Sequence, residues 1–140
     1  MGANQHFQVY ECFCTLKISQ QNHRNMELKV IKVEKEKGVE RLVMEVTEDC
    51  NLWPFIVFDS TYNDTEVSNL HRHSFIFPNL NVKAKDFVIL YTGKGENNHY
   101  INRGRSTTWE LYWGLDIDVW NQEEDEVLLV KVAEFKRFSY

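Results

Sequence analysis

Met26-Glu-Leu-Lys-Val-Ile-Lys-Val33, then Glu34-Lys-Glu-Lys-Gly38, then Arg41-Leu-Val-Met-Glu-Val-Thr47: this stretch decides the fold class. Its first run sets Met26, Leu28 and Val30 against Glu27 and Lys29, and its last sets Leu42, Met44 and Val46 against Val43 and Glu45. A period of two is that of a β-strand, whose successive side chains point to opposite faces. The segment between the runs is charged and ends in glycine, which reads as a hairpin turn. Two strands and a turn are therefore expected.

The same period continues in both directions. Upstream, Phe7 to Ile18 carries Tyr10, Cys12, Cys14, Leu16 and Ile18 on one face, and polar Ser19 to Asn25 follows. Downstream, Leu52 to Asp59 is almost continuously apolar, and its Pro54 belongs at a strand start, an edge or a bulge because it cannot donate a ladder hydrogen bond. Thr61 to Arg72 reads as a polar loop, and Ser74 to Phe77 as a short strand stopped by Pro78. Phe87-Val-Ile-Leu-Tyr91 reads as a buried strand, Thr92 to Thr108 as a long polar loop, and Trp109 to Trp120 as irregular and aromatic-rich. Glu126 to Phe135 closes the chain as a last alternating run. Seven or eight short strands without a helix predict an all-β sandwich or barrel.

Composition agrees. The 140 residues fit one domain, and a 14% aromatic share suits pleated, half-buried surfaces. A formal charge of −5 excludes the overall basic field of a non-specific nucleic-acid binder, although a local patch stays open. Three cysteines, Cys12, Cys14 and Cys50, leave at least one unpaired and fit a reducing compartment, so a cytoplasmic location is expected. No apolar run reaches the length of a membrane span, no signal-peptide pattern opens the chain, and His6 breaks the myristoylation pattern.

Seven motifs in order carry a resemblance: Glu40-Arg-Leu-Val-Met-Glu-Val46, Asn51-Leu-Trp-Pro-Phe-Ile-Val-Phe-Asp59, Phe75-Ile-Phe-Pro78, Asp86-Phe-Val-Ile-Leu-Tyr-Thr-Gly-Lys-Gly95, Leu111-Tyr-Trp-Gly114, Val119-Trp-Asn121 and Asp125-Glu-Val-Leu-Leu129. Over residues 26 to 133 the chain resembles the lamin tail domain family, in its prokaryotic form. The resemblance implies an immunoglobulin-like β-sandwich of seven or eight antiparallel strands, with 26–140 as the domain. Residues 1–25 match nothing in the family and read as an N-terminal extension that adds an extra edge strand or covers an edge. It implies an interaction or scaffold module with a protein partner, not an enzyme, and no cofactor. Two departures stand out. Gln122-Glu-Glu-Asp125 replaces the family's Asn-Asp-Gly-Asp turn, and Trp53-Pro-Phe55 replaces its Ser-Gly-Trp motif.

Each conspicuous cluster carries a functional and a structural reading. Trp109, Tyr112, Trp113 and Trp120 can form a stacking platform, but large indoles more often fill a core. Lys94, His99, Tyr100, Arg103 and Arg105 lie in the predicted loop with one acid, Glu96, and cations interleaved with an aromatic can grip a phosphate and stack a base. These five residues are the candidate ligand site, for nucleic acid or glycan. His71 with His73, or Cys12 with Cys14, have the spacing of two metal ligands on one strand face, with no further pair at zinc spacing. Glu123 to Glu126 can hold calcium or simply be a solvated acidic tip. No metal and no catalytic residue is expected from this pattern. There is no Gly-x-Ser-x-Gly or His-Glu-x-x-His motif, and Cys50 has no histidine tied to it by sequence.

Overall fold

The structure, a computed structural model, describes residues 25–63, 66–67, 73–120 and 125–140. Among them are eleven strands and no helix: β1 (Leu28–Glu36), β2 (Val39–Val46), β3 (Cys50–Asn51), β4 (Phe55–Asn63), β5 (Glu66–Val67), β6 (Ser74–Ile76), β7 (Asn81–Val82), β8 (Phe87–Tyr91), β9 (Asn98–Ile101), β10 (Thr107–Tyr112) and β11 (Asp125–Lys131). The expected N-terminal strand with Cys12 and Cys14 lies outside the described residues, as do His71, Glu123 and Glu124.

One sheet has the order β1-β2-β8-β10-β9. A second runs β11-β4-β5, with β6 also on β4, and β3 pairs with β7. The sheets are open and do not close into a barrel. Their buried side chains meet in one cluster, as the two layers of a sandwich do: Leu28, Leu42, Met44, Val46, Val88, Leu90 and Leu111 from the first sheet, and Phe55 and Val57 from the second, with Leu52, Phe77 and Val82 between. Leu42, Met44 and Val46 are completely enclosed, so the alternation in the opening stretch marks the core face correctly. Burying side chains of this size stabilises the fold by about 1.5–3 kcal/mol each, before the entropy of ordering the chain is charged against it.

The β1–β2 turn is narrower than the charge pattern implies. β1 runs on to Glu36, which pairs with Val39, leaving Lys37 and Gly38 as the central residues at φ 50° and 79°. Two positive φ angles define the type I′ turn, whose twist matches that of the flanking strands. Charge marks an edge strand here, not a loop. A bulge at Ile31 shifts the register so that Val30 faces Met44 and Val33 faces Leu42.

Several expectations need correcting. The described residues hold eleven strands and not seven or eight, three of them (β3, β5 and β7) only two residues long, and Trp109 to Tyr112, read as irregular, belongs to β10. The region read as a polar loop from Thr92 to Thr108 contains β9, which forms an antiparallel hairpin with β10. Asn98, His99 and Tyr100 give it a polar look because β9 is an edge with all four residues exposed, the apolar Ile101 included. The pairing is not wholly antiparallel, since β8 and β10 run parallel, Val88 beside Trp109 and Leu90 beside Leu111. Strand direction depends on where the intervening hairpin folds, which side-chain alternation does not encode. Finally, β4 continues to Asn63 and pairs with β5 inside the segment read as a loop from Thr61.

The tryptophans divide. Trp109, Trp113 and Trp120 pack against the core. Trp113 lies 5.8 Å from Trp120 and 5.7 Å from Phe75, centroid to centroid. Trp53 instead stays 44% exposed, its ring 4.8 Å from that of Phe135.

Candidate functional site

The five residues that the sequence suggests as a ligand site do not form one site. Lys94 lies at the Tyr112 end of β10, paired with Asp116 at 2.7 Å, on a hollow of about 240 Å³ shared with Tyr91, Tyr112 and Asp118. Arg103 and Arg105 lie in the β9–β10 turn, at the opposite end of the same strand. Six residues of strand separate the two ends by roughly 17–20 Å. Of the other two, His99 packs on Trp109 at 4.8 Å, while Tyr100 is 47% exposed opposite Thr108.

What the structure brings together at the turn is a different set. Asn102 N–H donates to the Ser106 carbonyl at 2.8 Å and Arg105 N–H to the Asn102 carbonyl at 2.9 Å, which closes a three-residue loop with Arg105 at φ 68°. That position ordinarily takes glycine, and a long cationic side chain held there costs about 1–2 kcal/mol. Arg105 lines a hollow of about 360 Å³ together with Lys83 and Lys85. Neither lysine stands out in the sequence, because each lies eighteen or more positions upstream, in a stretch that reads only as a connection. Asp86 forms the base of this hollow. It is buried, and its carboxylate accepts from Thr107 N–H at 2.8 Å, Lys83 N–H at 3.0 Å and Trp109 Nε1–H at 3.2 Å. Asp86 thus orders both walls of the hollow and the indole under His99.

Glu40 plays the equivalent part at the other end of the sheet. It is buried, with one oxygen accepting from Val119 N–H at 2.6 Å and the other from Trp120 N–H at 3.1 Å. These bonds bind the segment after β10 to the start of β2. The indole N–H of Trp120 is buried and finds no partner among the described residues. Across the outer face of the first sheet, Glu34 holds Arg41, Arg41 reaches Tyr91, and the Tyr91 hydroxyl donates to Glu110 at 3.1 Å. Tyr91 stacks on Tyr112 at 4.8 Å, and burial is the main cause pushing its hydroxyl pKa up.

The groups with catalytic potential lie apart. Asp59 is buried and accepts from His73 N–H at 2.8 Å, with its second oxygen 3.0 Å from His73 Nδ1. Cys50 is on β3, where burial, followed by the charge of Glu27, raises its pKa and favours the unreactive thiol. The charged groups that act on it are Glu27, Lys131 and Asp49, with no histidine among them. Among the described residues no three histidine, cysteine or acidic side chains converge on a possible metal position. No helix there is long and apolar enough to cross a membrane.

The second sheet offers an apolar surface. Ile56 on β4 faces Ile76 on β6 and Val130 on β11, and all three lie on the side away from the core residues Phe55 and Val57. Ile76 is 64% exposed. With Trp53, Val132 and Phe135, Ile56 and Ile76 line a hollow of about 280 Å³ whose walls are chiefly apolar.

Fold and surfaces together define an all-β domain of two facing sheets that carries, among its described residues, an apolar and a basic exposed patch. Compared with protein-family models, curated proteins and solved structures, the chain finds no match.

Proposed function

We propose that the chain is a non-catalytic interaction module of the lamin-tail-like, immunoglobulin-like type, which contacts a protein partner through the outer face of its second sheet. The observation that carries this reading is the apolar hollow around Ile56 and Ile76, flanked by the Trp53–Phe135 pair. A large exposed aliphatic side chain beside an aromatic pair is the composition of an interface centre, where aromatic anchors dominate the binding energy. The partner segment it suits is apolar and aromatic. Affinity capture with the native chain and with Ile76→Lys tests this. A protein retained by the native chain and missing from the variant supports the reading, and equal recovery by both refutes it.

A second reading has its own observation: Lys83, Lys85 and Arg105 surround one hollow, and Arg105 holds a backbone conformation that favours glycine. Nucleic-acid or glycan binding would then use the β9–β10 turn with Tyr100, without Lys94. Single-stranded oligonucleotide binding at low salt would fall in the Arg103→Ala/Arg105→Ala variant. Its slope of log affinity against log salt would drop by about 0.7 for each phosphate the variant no longer neutralises. No binding by the native chain at low salt rejects this reading.

A further inference from the structure

We infer that β11 is a dimerisation strand, pairing antiparallel with the β11 of a second copy about a two-fold axis at Leu128. The edge itself is distinct from the Ile76 hollow, since β6 and β11 lie on opposite sides of β4, although Val130 and Val132 share the outer face with Ile76.

Hydrogen-bond parity shows which way β11 faces. Val132 N–H donates to the Pro54 carbonyl at 2.7 Å, one step beyond the Lys131–Phe55 pair. In an antiparallel ladder the residues that bond to a given neighbour alternate. Leu128, Val130 and Val132 therefore direct their backbone groups to β4, while Val127, Leu129 and Lys131 direct theirs away from it. The same rule holds on the far side of β4, where Phe77 N–H donates to the Phe55 carbonyl at 3.2 Å. Val127 and Leu129 thus present open backbone donors and acceptors along the edge of the sheet, with no second strand beside them among the described residues.

Edges of this kind are usually guarded by charge. β1, one edge of the first sheet, is guarded by Lys29, Lys32, Glu34, Lys35 and Glu36. β11 is not, since its centre is Val127-Leu-Leu-Val130, apolar on both faces. Its only charges stand at its ends, Asp125 and Glu126 at the start and Lys131 at the finish.

That arrangement is self-complementary in one register. Centred on Leu128, antiparallel pairing sets Val127 against Leu129 of the partner subunit and Asp125 against Lys131 of the partner subunit. Each of these turns its backbone groups to the open edge, so backbone parity and charge agree. Moving the axis one residue either way, to Val127 or Leu129, keeps the backbone parity but loses the Asp125–Lys131 pair and opposes no two charges of the strand. Moving it two residues, to Val130 or Glu126, opposes Glu126 to Glu134 or to itself. Both set like charges directly across strands, which is destabilising. Lys131 already holds Glu27 at 2.6 Å, and its ammonium has three donors, enough for a second carboxylate.

The test is the mass of the full chain by sedimentation across the micromolar range, with two variants. The native chain should sediment at twice the chain mass, and Leu128→Glu should halve that mass while keeping its sheet-type circular dichroism. Leu128→Cys then checks the register. Opposed residues at a non-hydrogen-bonded position lie about 4.5 Å apart, within disulfide reach. Mild oxidation should cross-link this variant well above the background of the chain's own three cysteines, and Val130→Cys should stay at background. A native chain that is monomeric at every concentration leaves the edge to residues 1–24 or to a foreign strand, and overturns the proposal. So does a Leu128→Glu dimer, or cross-linking of Val130→Cys as readily as Leu128→Cys.

Discussion

Removing the Glu40 carboxylate should unfold this domain far more readily than its place at the rim of a sheet would suggest. Glu40 is 3% exposed and receives two backbone N–H groups, those of Val119 and Trp120, on separate oxygens. A hydrogen bond to an ionised group is worth about 1.5–3 kcal/mol. Glu40→Ala breaks two and leaves two amides facing a cavity, although water entering from the nearby hollow recovers part of the loss. A net destabilisation of about 3–4 kcal/mol follows. For a domain of this length each kcal/mol moves the melting midpoint by about 4 °C, so a fall of roughly 12–16 °C is expected. Glu40→Gln keeps the side-chain length and one acceptor oxygen but points an amide donor at the second N–H, so it should lose about 2–3 kcal/mol. Thermal melts followed by circular dichroism, with urea titrations for the slope, measure both variants. A loss below about 1 kcal/mol for Glu40→Ala, with an unchanged urea slope, would show that the carboxylate does not anchor this segment.

Other perturbations follow from single interactions. At Gly95 a Cβ would enter the space of the Tyr112 ring, which cannot withdraw because it stacks on Tyr91, so Gly95→Ala should cost about 1–3 kcal/mol in urea unfolding. Gly93 in the same motif has open space around it and should tolerate alanine. Arg105→Gly should raise stability by about 0.5–1 kcal/mol in the same assay, since it relieves a left-handed backbone, and should weaken any anion binding at the turn. The pKa of Glu27 is lowered, chiefly by its hydrogen bond from Lys131. A carboxylate with a depressed folded-state pKa adds stability that is present at neutral pH and is lost as pH falls through that pKa. Melting temperatures of the native chain and Glu27→Gln should therefore differ near pH 7 and converge in acid. A constant difference across that range would refute the link.

Much of this architecture can be read from residue order alone. Alternation in Leu42, Met44 and Val46 names the buried face, glycine after a charged run marks the first turn, and the continuous apolar character of Phe87 to Tyr91 marks a strand enclosed between neighbours. These features depend on the chain's own two-residue period and on local turn chemistry, so they need no knowledge of what lies alongside. The strand character of Asn98 to Ile101 is hidden for a related reason: an exposed edge strand shows no alternation, and its Asn98, His99 and Tyr100 read like a loop.

Only tertiary structure decides which distant residues become neighbours. Lys94 groups with Arg105 in the sequence because eleven positions separate them, yet β10 holds them at opposite ends, while Lys83 and Lys85 arrive beside Arg105 across the sheet. Glu40 and Asp86 look like ordinary acids at strand starts, and their weight comes from backbone N–H groups 79 and 21 residues downstream. Strand direction in the β8–β10 pair, and the edge of β11 that no other described strand covers, are likewise properties of how strands are placed. A side-chain pattern records whether a residue faces apolar surroundings or water. Which segment supplies those surroundings is set by the packing of the whole chain, and that is where the candidate surfaces of this protein arise.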